Sequence, residues 1–144
     1  DYMLSATLAL NDFIRMGISQ DWATHQIGHE LTALHGITHG HSLAIVMPGT
    51  LRELKVQKHD KLLQYGERIF NITEGTEEDR VNKAIEKTEE FYRSLGLTTR
   101  LSEENVGEDT IETIARRFND RGVAYGENRN VTGDVAREIL RKCI

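Results

Sequence analysis

Histidine is concentrated in one stretch of the sequence, between Asp21 and Pro48. Five of the six histidines fall there: His25, His29, His35, His39 and His41. Imidazole is the commonest metal ligand among the side chains, and it exchanges protons near neutral pH. The rest of the chain has the spacing of ordinary amphipathic helices and turns. We therefore expect any chemistry of this protein to occur in this stretch.

The pair with the most informative spacing is His25 and His29. Residues four positions apart lie one turn apart on the same face of a helix, so both imidazoles can reach one metal ion or one ligand. By itself such a pair is a weak signal, because most of these histidines are solvated, capped or hydrogen-bonded elsewhere. Five histidines within 17 residues, in a segment otherwise rich in apolar side chains, strengthen the interpretation as a site.

Other interpretations of the polar residues are weaker. His29-Glu30 begins like the zinc-peptidase motif H-E-x-x-H, but that motif requires a histidine where this chain has Ala33, so it is rejected. Residues 125–129 could approach a ligand, but they are interpreted by default as a plain surface loop, and no glycine-rich phosphate loop is visible. Three further histidines are interpreted as structural or exposed: His35, His41 and His59.

A central helix must position the pair. Ser19 and Asp21 are candidate caps before Trp22, and Gly36 is a candidate stop. One face of this helix is apolar, and only a narrow strip faces water. The apolar face carries Ala23, Ile27, Leu31 and Leu34, and the strip carries Gln26 and Glu30. A helix this apolar is expected to be buried, which makes a core position the default for Trp22.

A second helix follows after a short loop. Residues 37–41 form the loop, residues 42–47 form the apolar start of the helix, and Pro48 is expected to kink or end it. His39 would then lie at the beginning of the second helix. A tight helical hairpin would bring His39 back near His25.

The remaining sequence predicts an all-α bundle of about six to eight helices with short loops. Period-2 alternation is absent, and the chain contains a single proline. Helices are predicted over residues 2–16, 60–70 and 109–120, after a capping box at Thr76, and after a cap at Thr132.

Composition limits the classes of partner. The chain has 144 residues, a net charge of −5 and a pI of about 5.7, so nucleic acid is a poor partner. No apolar run is long enough to span a bilayer, and no signal peptide is recognisable. Cys143 is the only cysteine, which excludes an internal disulfide and fits a reducing cytoplasm. The sequence opens on Asp1 rather than Met, as a piece of a longer protein would.

These residues carry a family resemblance. The spacing His25-x3-His29-x9-His39-Gly, followed by an apolar helix and Pro48, resembles the iron-containing (group III) alcohol dehydrogenase family. Residues 28–33 and 43–46 are most similar to its NADPH-dependent aldehyde reductase and butanol dehydrogenase branch. The likeness continues through residues 61–65, 71–75, 101–102 and 127–128. One departure is Thr38, where many members have proline before the last ligand.

The resemblance implies a larger architecture. Family members have an N-terminal α/β domain that binds NADP or NAD and a C-terminal, dehydroquinate synthase-like helical domain that carries a divalent metal, Fe²⁺ or Zn²⁺. Residues 1–144 would form a single, partial helical domain from the C-terminal part of such a two-domain enzyme. An Asp and three His hold the metal in the family. His25 and His39 match two of these ligands, and the other two ligands would precede the chain.

The resemblance also implies a reaction. Hydride would pass between the nicotinamide and an alcohol or aldehyde polarised by the metal, and His29 matches a histidine that handles the proton. Trp22 would help to wall the pocket, as the alternative to its default core position. The enzyme would be a cytoplasmic homo-oligomer acting on a small molecule, without nucleic acid or membrane as partner. The isolated chain is expected to be inactive. The alternative is a self-contained helical binding or oligomerisation module, and the upstream reading frame would distinguish the two.

Overall fold

The structure, a computed structural model, describes all 144 residues and contains seven α-helices and two short 3-10 helices. The α-helices are α1 (Tyr2–Leu10), α2 (Ala23–His35), α3 (His39–Glu53), α4 (His59–Phe70), α5 (Glu77–Ser94), α6 (Glu108–Asp120) and α7 (Gly133–Arg141). The 3-10 helices are Phe13–Arg15 and Leu101–Glu104. There is no strand, only an isolated bridge between Tyr125 and Val131. The predicted all-α bundle is confirmed. None of the helices combines the length and apolar character needed to cross a bilayer.

The ends of α2 follow from local chemistry. Asp21 Oδ1 accepts a hydrogen bond from the backbone N–H of Ala23 at 2.9 Å, which satisfies one of the free donors at the start of the helix. At the other end Gly36 adopts a φ of +69°, a left-handed conformation that glycine reaches without a steric penalty from Cβ. The predicted start near Trp22 and the predicted stop at Gly36 are both confirmed.

Helix α3 does not end at Pro48. It continues five residues further, to Glu53, and Pro48 is buried inside it. A proline removes one backbone hydrogen bond and clashes with the preceding turn, so an isolated helix would stop there. In this fold α3 packs against α2 on one side and against α5 and α7 on others, and this packing outweighs the local penalty.

The main core lies where α2, α3, α6 and α7 meet. Ala23, Ile27 and Leu31 on α2 are completely buried, which confirms the predicted apolar face. The largest fully buried side chains contributed by the other helices are Ile45, Ile111, Ile114, Phe118, Ile139 and Leu140. The helix that carries two of the candidate histidines is therefore held by the larger of the two hydrophobic clusters.

The prediction that Glu30 faces water is wrong. Glu30 is 7% exposed, and its carboxylate accepts hydrogen bonds from Arg117 on α6 at 2.7 Å and from Arg121 at 2.6 Å. Burial by itself raises the pKa of a carboxyl group, but the two guanidinium groups hold the pKa of Glu30 below its ordinary value. This ion cluster ties α2 to α6.

The first helix is shorter than predicted. Helix α1 ends at Leu10 because the Asn11 side chain accepts a hydrogen bond from the backbone N–H of Phe13 at 3.2 Å, and Asp12 adopts a left-handed φ of +67°. A separate 3-10 turn takes the place of the predicted last turns. No residue of α1 is buried.

Two predicted caps behave differently. Thr76 and Asp79 form the predicted capping box at the start of α5, with reciprocal bonds of 3.2 and 3.3 Å. Thr132 stands at the N-cap position of α7, but its side chain makes no capping bond. Asn119 Oδ1 instead accepts from the backbone N–H of Gly133 at 3.1 Å, so a residue of α6 caps α7.

Candidate metal centre

The α2–α3 hairpin gathers three imidazoles. The ring centroid of His39, the first residue of α3, lies 5.1 Å from that of His25 and 4.8 Å from that of His29. The two α2 rings are 6.4 Å apart. Helices α2 and α3 thus bring together the three histidines for which the sequence predicts chemistry. Their individual roles stay predictions.

The separations can be compared with what one metal ion requires. Two imidazoles that bind one ion through nitrogens at about 2.0–2.1 Å, at tetrahedral angles, have ring centroids on the order of 5 Å apart. The His25–His39 and His29–His39 separations meet this requirement, whereas the His25–His29 separation is too long. His39 is therefore the imidazole common to both suitable pairs. Imidazole nitrogen is a donor that suits both Fe²⁺ and Zn²⁺.

The donor set within this chain is partial. Nowhere in the 144 residues do three or more His, Cys, Asp or Glu side chains form a group that could hold a metal ion. The imidazoles at the hairpin can therefore supply part of a ligand set for a metal ion. The suitable pairs are His39 with His25 and His39 with His29.

His25 is the most enclosed of the three rings. It is half-buried, while His29 and His39 are exposed. Burial lowers the pKa of His25, and the neighbouring His39 and His29 lower it further by charge repulsion. A ring that stays neutral keeps a lone pair free for a metal ion, because metal ligation requires the unprotonated imidazole.

Trp22 lies against His25. The two rings meet edge to face with centroids 4.8 Å apart, and the indole N–H donates to Gln20 Oε1 at 2.9 Å. Trp22 is 37% exposed, so the default interpretation as a core residue is wrong. A cleft of about 310 Å³ opens beside the two rings, and its apolar wall includes Leu10, Ile14 and Ile18.

The other histidines bond outside the imidazole cluster. His35 Nε2 lies 2.9 Å from Thr110 Oγ1 at the start of α6. His41 Nε2 contacts Thr98 Oγ1 and lies 3.4 Å from Glu104 Oε1, in the segment after α5. These two contacts tie the end of α2 and the start of α3 to other elements. His59, beside Asp60, is only partly exposed.

An ion cluster that the sequence did not predict lies at Asp21, just before α2. Lys58 Nζ lies 2.7 Å from Asp21 Oδ2 and 2.8 Å from Glu127 Oε1, and its side chain is 15% exposed. Burial favours the neutral amine, but the bonds to Asp21 and Glu127 raise the pKa of Lys58. The loop of residues 125–129, interpreted as a plain surface loop, thus contacts Lys58, which in turn pairs with Asp21 just before α2. No local sequence pattern indicates the ion cluster, because Asp21, Lys58 and Glu127 are far apart in sequence.

Comparison with solved structures defines the class of protein. The crystal structure of YqhD from E. coli K-12 matches 99% of this chain with a TM-score of 0.94 and 43% sequence identity, over 37% of its own length. The NADH-dependent butanol dehydrogenase A from Thermotoga maritima matches 97% of this chain with a TM-score of 0.86 and 28% identity, also over 37% of its length. The fold is that of a helical domain in alcohol dehydrogenase-type oxidoreductases.

The family follows from the sequence. The family model for the C-terminal part of the Fe-containing alcohol dehydrogenases matches residues 1–144, and the chain belongs to this family. It is 45% identical to the NADPH-dependent aldehyde reductase YqhD of Escherichia coli over 95% of its length. It is 30% identical to the NADH-dependent butanol dehydrogenase A of Clostridium acetobutylicum over 97% of its length. The chain spans a little over a third of these relatives, 36% and 37% respectively.

Proposed function

We propose that this chain is part of the metal-bearing helical domain of an NADP- or NAD-dependent alcohol dehydrogenase or aldehyde reductase. The observation that carries the proposal is the cluster of His25, His29 and His39 at the α2–α3 hairpin of a chain that matches its family from end to end. The relatives support the reaction class, since they are named aldehyde reductase and butanol dehydrogenase and use NADPH or NADH. An N-terminal domain would hold the nicotinamide cofactor.

His25 and His39 would hold the divalent metal, Fe²⁺ or Zn²⁺, together with ligands from the preceding part of the enzyme. Their 5.1 Å separation suits one shared ion, and the lowered pKa of His25, caused by burial and the neighbouring imidazoles, favours the neutral ring that a metal requires. When bound, the metal supplies a Lewis acid for the alcohol or aldehyde oxygen, and the nicotinamide supplies or accepts hydride.

The remaining side chains would handle the proton and shape the cleft. His29 is exposed one turn along α2 from His25, so its ring can hold a proton and exchange it with solvent. Trp22 and the apolar wall of the cleft would exclude water from the carbon chain of a small alcohol or aldehyde. The ion cluster at Asp21 and Lys58 fixes the start of α2, and so orients His25.

Three alanine variants of the full-length enzyme test this division of roles. His25→Ala and His39→Ala should abolish metal content and turnover together. His29→Ala should leave the metal largely in place and slow kcat by about 10²–10⁴-fold, the contribution typical of a proton-transfer group. His59→Ala is the control and should change neither quantity, because the His59 ring pairs with Asp60 at 3.2 Å and with Glu77 at 3.7 Å rather than with the cluster.

The outcomes separate the alternatives. If His25→Ala keeps both metal and turnover, the proposed site is wrong. If His29→Ala strips the metal, His29 is the ligand, which its 4.8 Å separation from His39 would also allow, and the two roles must be reversed.

The second candidate is a self-contained helical binding or oligomerisation module. The partial donor set within these 144 residues is consistent with both candidates. The upstream reading frame decides between the two. A nucleotide-binding domain and an Asp-x3-His on a helix would establish the enzyme, and an initiator Met directly before Asp1 would favour the module.

A further inference from the structure

We propose that the contact between Gly28 and Ser42 sets the spacing of the imidazole cluster. The missing side chain at position 28 lets α3 approach α2 closely enough for His39 to meet His25 and His29. This inference rests on the proposed function, because it concerns the geometry of the proposed metal site. Gly28 would be a positioning residue, since it would act through the histidines on either side of it.

Gly28 is buried on α2, between His25 and His29. A Cβ atom at this position would lie 2.8 Å from Ser42 Oγ, 3.2 Å from Leu43 Cδ2 and 3.6 Å from Ser42 Cβ. Real Cβ atoms essentially never come within 3.0 Å of another heavy atom, so α3 would have to shift or Ser42 would have to turn away.

The backbone does not require glycine here. Gly28 lies inside a regular helix and is not among the residues with positive φ. Glycine in the middle of a helix destabilises it relative to alanine. The close approach of α3 is therefore the reason that this position has no side chain.

Ser42 connects this contact to the third imidazole. It is completely buried, and its hydroxyl donates to the backbone carbonyl oxygen of His39 at 2.8 Å. If the hydroxyl rotated away from a new methyl group, it would lose this bond inside the protein, which is unfavourable. A displacement of Ser42 would therefore move the first turn of α3, and His39 with it.

The hairpin cannot open freely to absorb the change. His35 is bonded to Thr110, and His41 is bonded to the Thr98–Glu104 pair, so both sides of the turn are tied to other elements. Glu30 further fixes α2 to α6. An added methyl group at position 28 would therefore change the separation of the imidazoles locally.

The size of the effect follows from the tolerance of metal ligation. Metal–ligand distances in working sites lie within about 0.2 Å of their ideal values. A shift of a few tenths of an ångström is comparable to this tolerance. Changes to residues that orient metal ligands typically weaken metal binding by about 10–100-fold. We expect this range for Gly28→Ala.

The test uses the full-length enzyme and the metal alone. Four proteins are compared with wild type: Gly28→Ala, Ser42→Ala, the double variant, and Gly40→Ala as matched control. Gly40 is also in a helix beside His39, but a Cβ there would have no neighbour within 4 Å. For each protein we measure the Zn²⁺ dissociation constant by chelator competition, the absorption spectrum of the Co²⁺ form, and the free energy of unfolding without metal.

Gly28→Ala should raise the Zn²⁺ dissociation constant about 10–100-fold and alter the Co²⁺ spectrum, while Gly40→Ala leaves both unchanged. The double variant should return to within a few-fold of Ser42→Ala, because the 2.8 Å contact is gone and the 3.6 Å contact is ordinary. The 3.2 Å contact remains, but Leu43 Cδ2 is the end of a flexible side chain and can move by a few tenths of an ångström. If Gly28 matters only for packing, Gly28→Ala would change the free energy of unfolding and leave the Co²⁺ spectrum unaltered. This result would overturn the inference.

The inference and the proposed function fail in different ways. If His25→Ala strips the metal while Gly28→Ala binds Zn²⁺ like wild type, the spacing inference is overturned and the proposed function stands. If His25→Ala keeps its metal, the proposed function fails. If Gly28→Ala does not fold, the double variant is measured in its place. A double variant that folds and binds Zn²⁺ as tightly as Ser42→Ala supports the inference. A double variant that folds but binds Zn²⁺ more weakly than Ser42→Ala contradicts it.

Discussion

Glu30→Gln should destabilise the protein although it preserves the shape of the side chain. The Glu30 carboxylate is almost fully buried between α2 and α6 and bonds to Arg117 and Arg121. The glutamine keeps one acceptor oxygen but removes the negative charge. Both guanidinium groups then lose their counter-charge, and the tie between the two helices weakens.

The loss in free energy of unfolding caused by Glu30→Gln lies between two limits. A hydrogen bond to a charged group contributes about 1.5–3 kcal/mol when it is well buried, and an exposed ion pair contributes about 0–1 kcal/mol. The side chains of Arg117 and Arg121 are 38% and 50% exposed, so water screens each pair from one side. About 1 kcal/mol per pair, or roughly 2 kcal/mol in all, is the expected loss. For a domain of this size that corresponds to a decrease in Tm of about 6–8 °C.

The loss should depend on pH in one direction. The pKa of Glu30 is lower in the folded state than in the unfolded chain, so its stabilisation is fully present above the unfolded value of about 4.3. It disappears as the pH falls through the folded pKa. The difference between wild type and Glu30→Gln should therefore be full at neutral pH and should shrink below about pH 4.

Urea unfolding followed by circular dichroism measures both effects. The matched control is Glu67→Gln, because Glu67 is 59% exposed and pairs with Arg80 at 3.4 Å. Its expected change is below about 0.5 kcal/mol. The reasoning would be refuted if Glu30→Gln matched this control at pH 7, or if its destabilisation were the same at pH 7 and below pH 4.

Two further predictions follow from the donor set and from the burial of the cysteine. The purified 144-residue chain should bind Zn²⁺ or Fe²⁺ weakly, lose it on dialysis, and show no alcohol oxidation or aldehyde reduction with NADPH or NADH, because it supplies only part of the ligand set; stoichiometric metal after dialysis would contradict this. Cys143 is 1% exposed and burial raises its pKa to about 12, so a thiol reagent at pH 8 should label it only after denaturation; labelling of the native protein at the rate of a free thiol would contradict the burial.

The hairpin and the family could be predicted from the sequence because their determinants are local. The i, i+4 spacing of His25 and His29 and the glycine stop at Gly36 lie within one segment of 12 residues. Because the loop after Gly36 is short, His39 must lie near the end of α2, on the same side as the two other histidines. Local spacing of this kind is what sequence patterns encode.

The errors concern residues whose environment is set by distant partners. Glu30 looks like a surface residue because its two arginines lie 87 and 91 positions away. Lys58 has no local indication of burial, since its partners come from the start of α2 and from a loop near the C-terminal end. Trp22 looks like a core residue by composition, yet the cleft beside His25 leaves it partly open. Tertiary context overrides propensity at each of these positions.

The short connection between α2 and α3 has a consequence for the order of folding. Only 14 positions separate His25 from His39, whereas the bond from Glu30 to Arg121 closes a loop of 91 positions. The loop-closure entropy of the longer connection is unfavourable by about 1.7 kcal/mol more, and contacts between distant residues form more slowly. The imidazoles can therefore meet while α6 and α7 are still unstructured. During synthesis, a metal ion could therefore encounter the hairpin before α6 and α7 have packed against it.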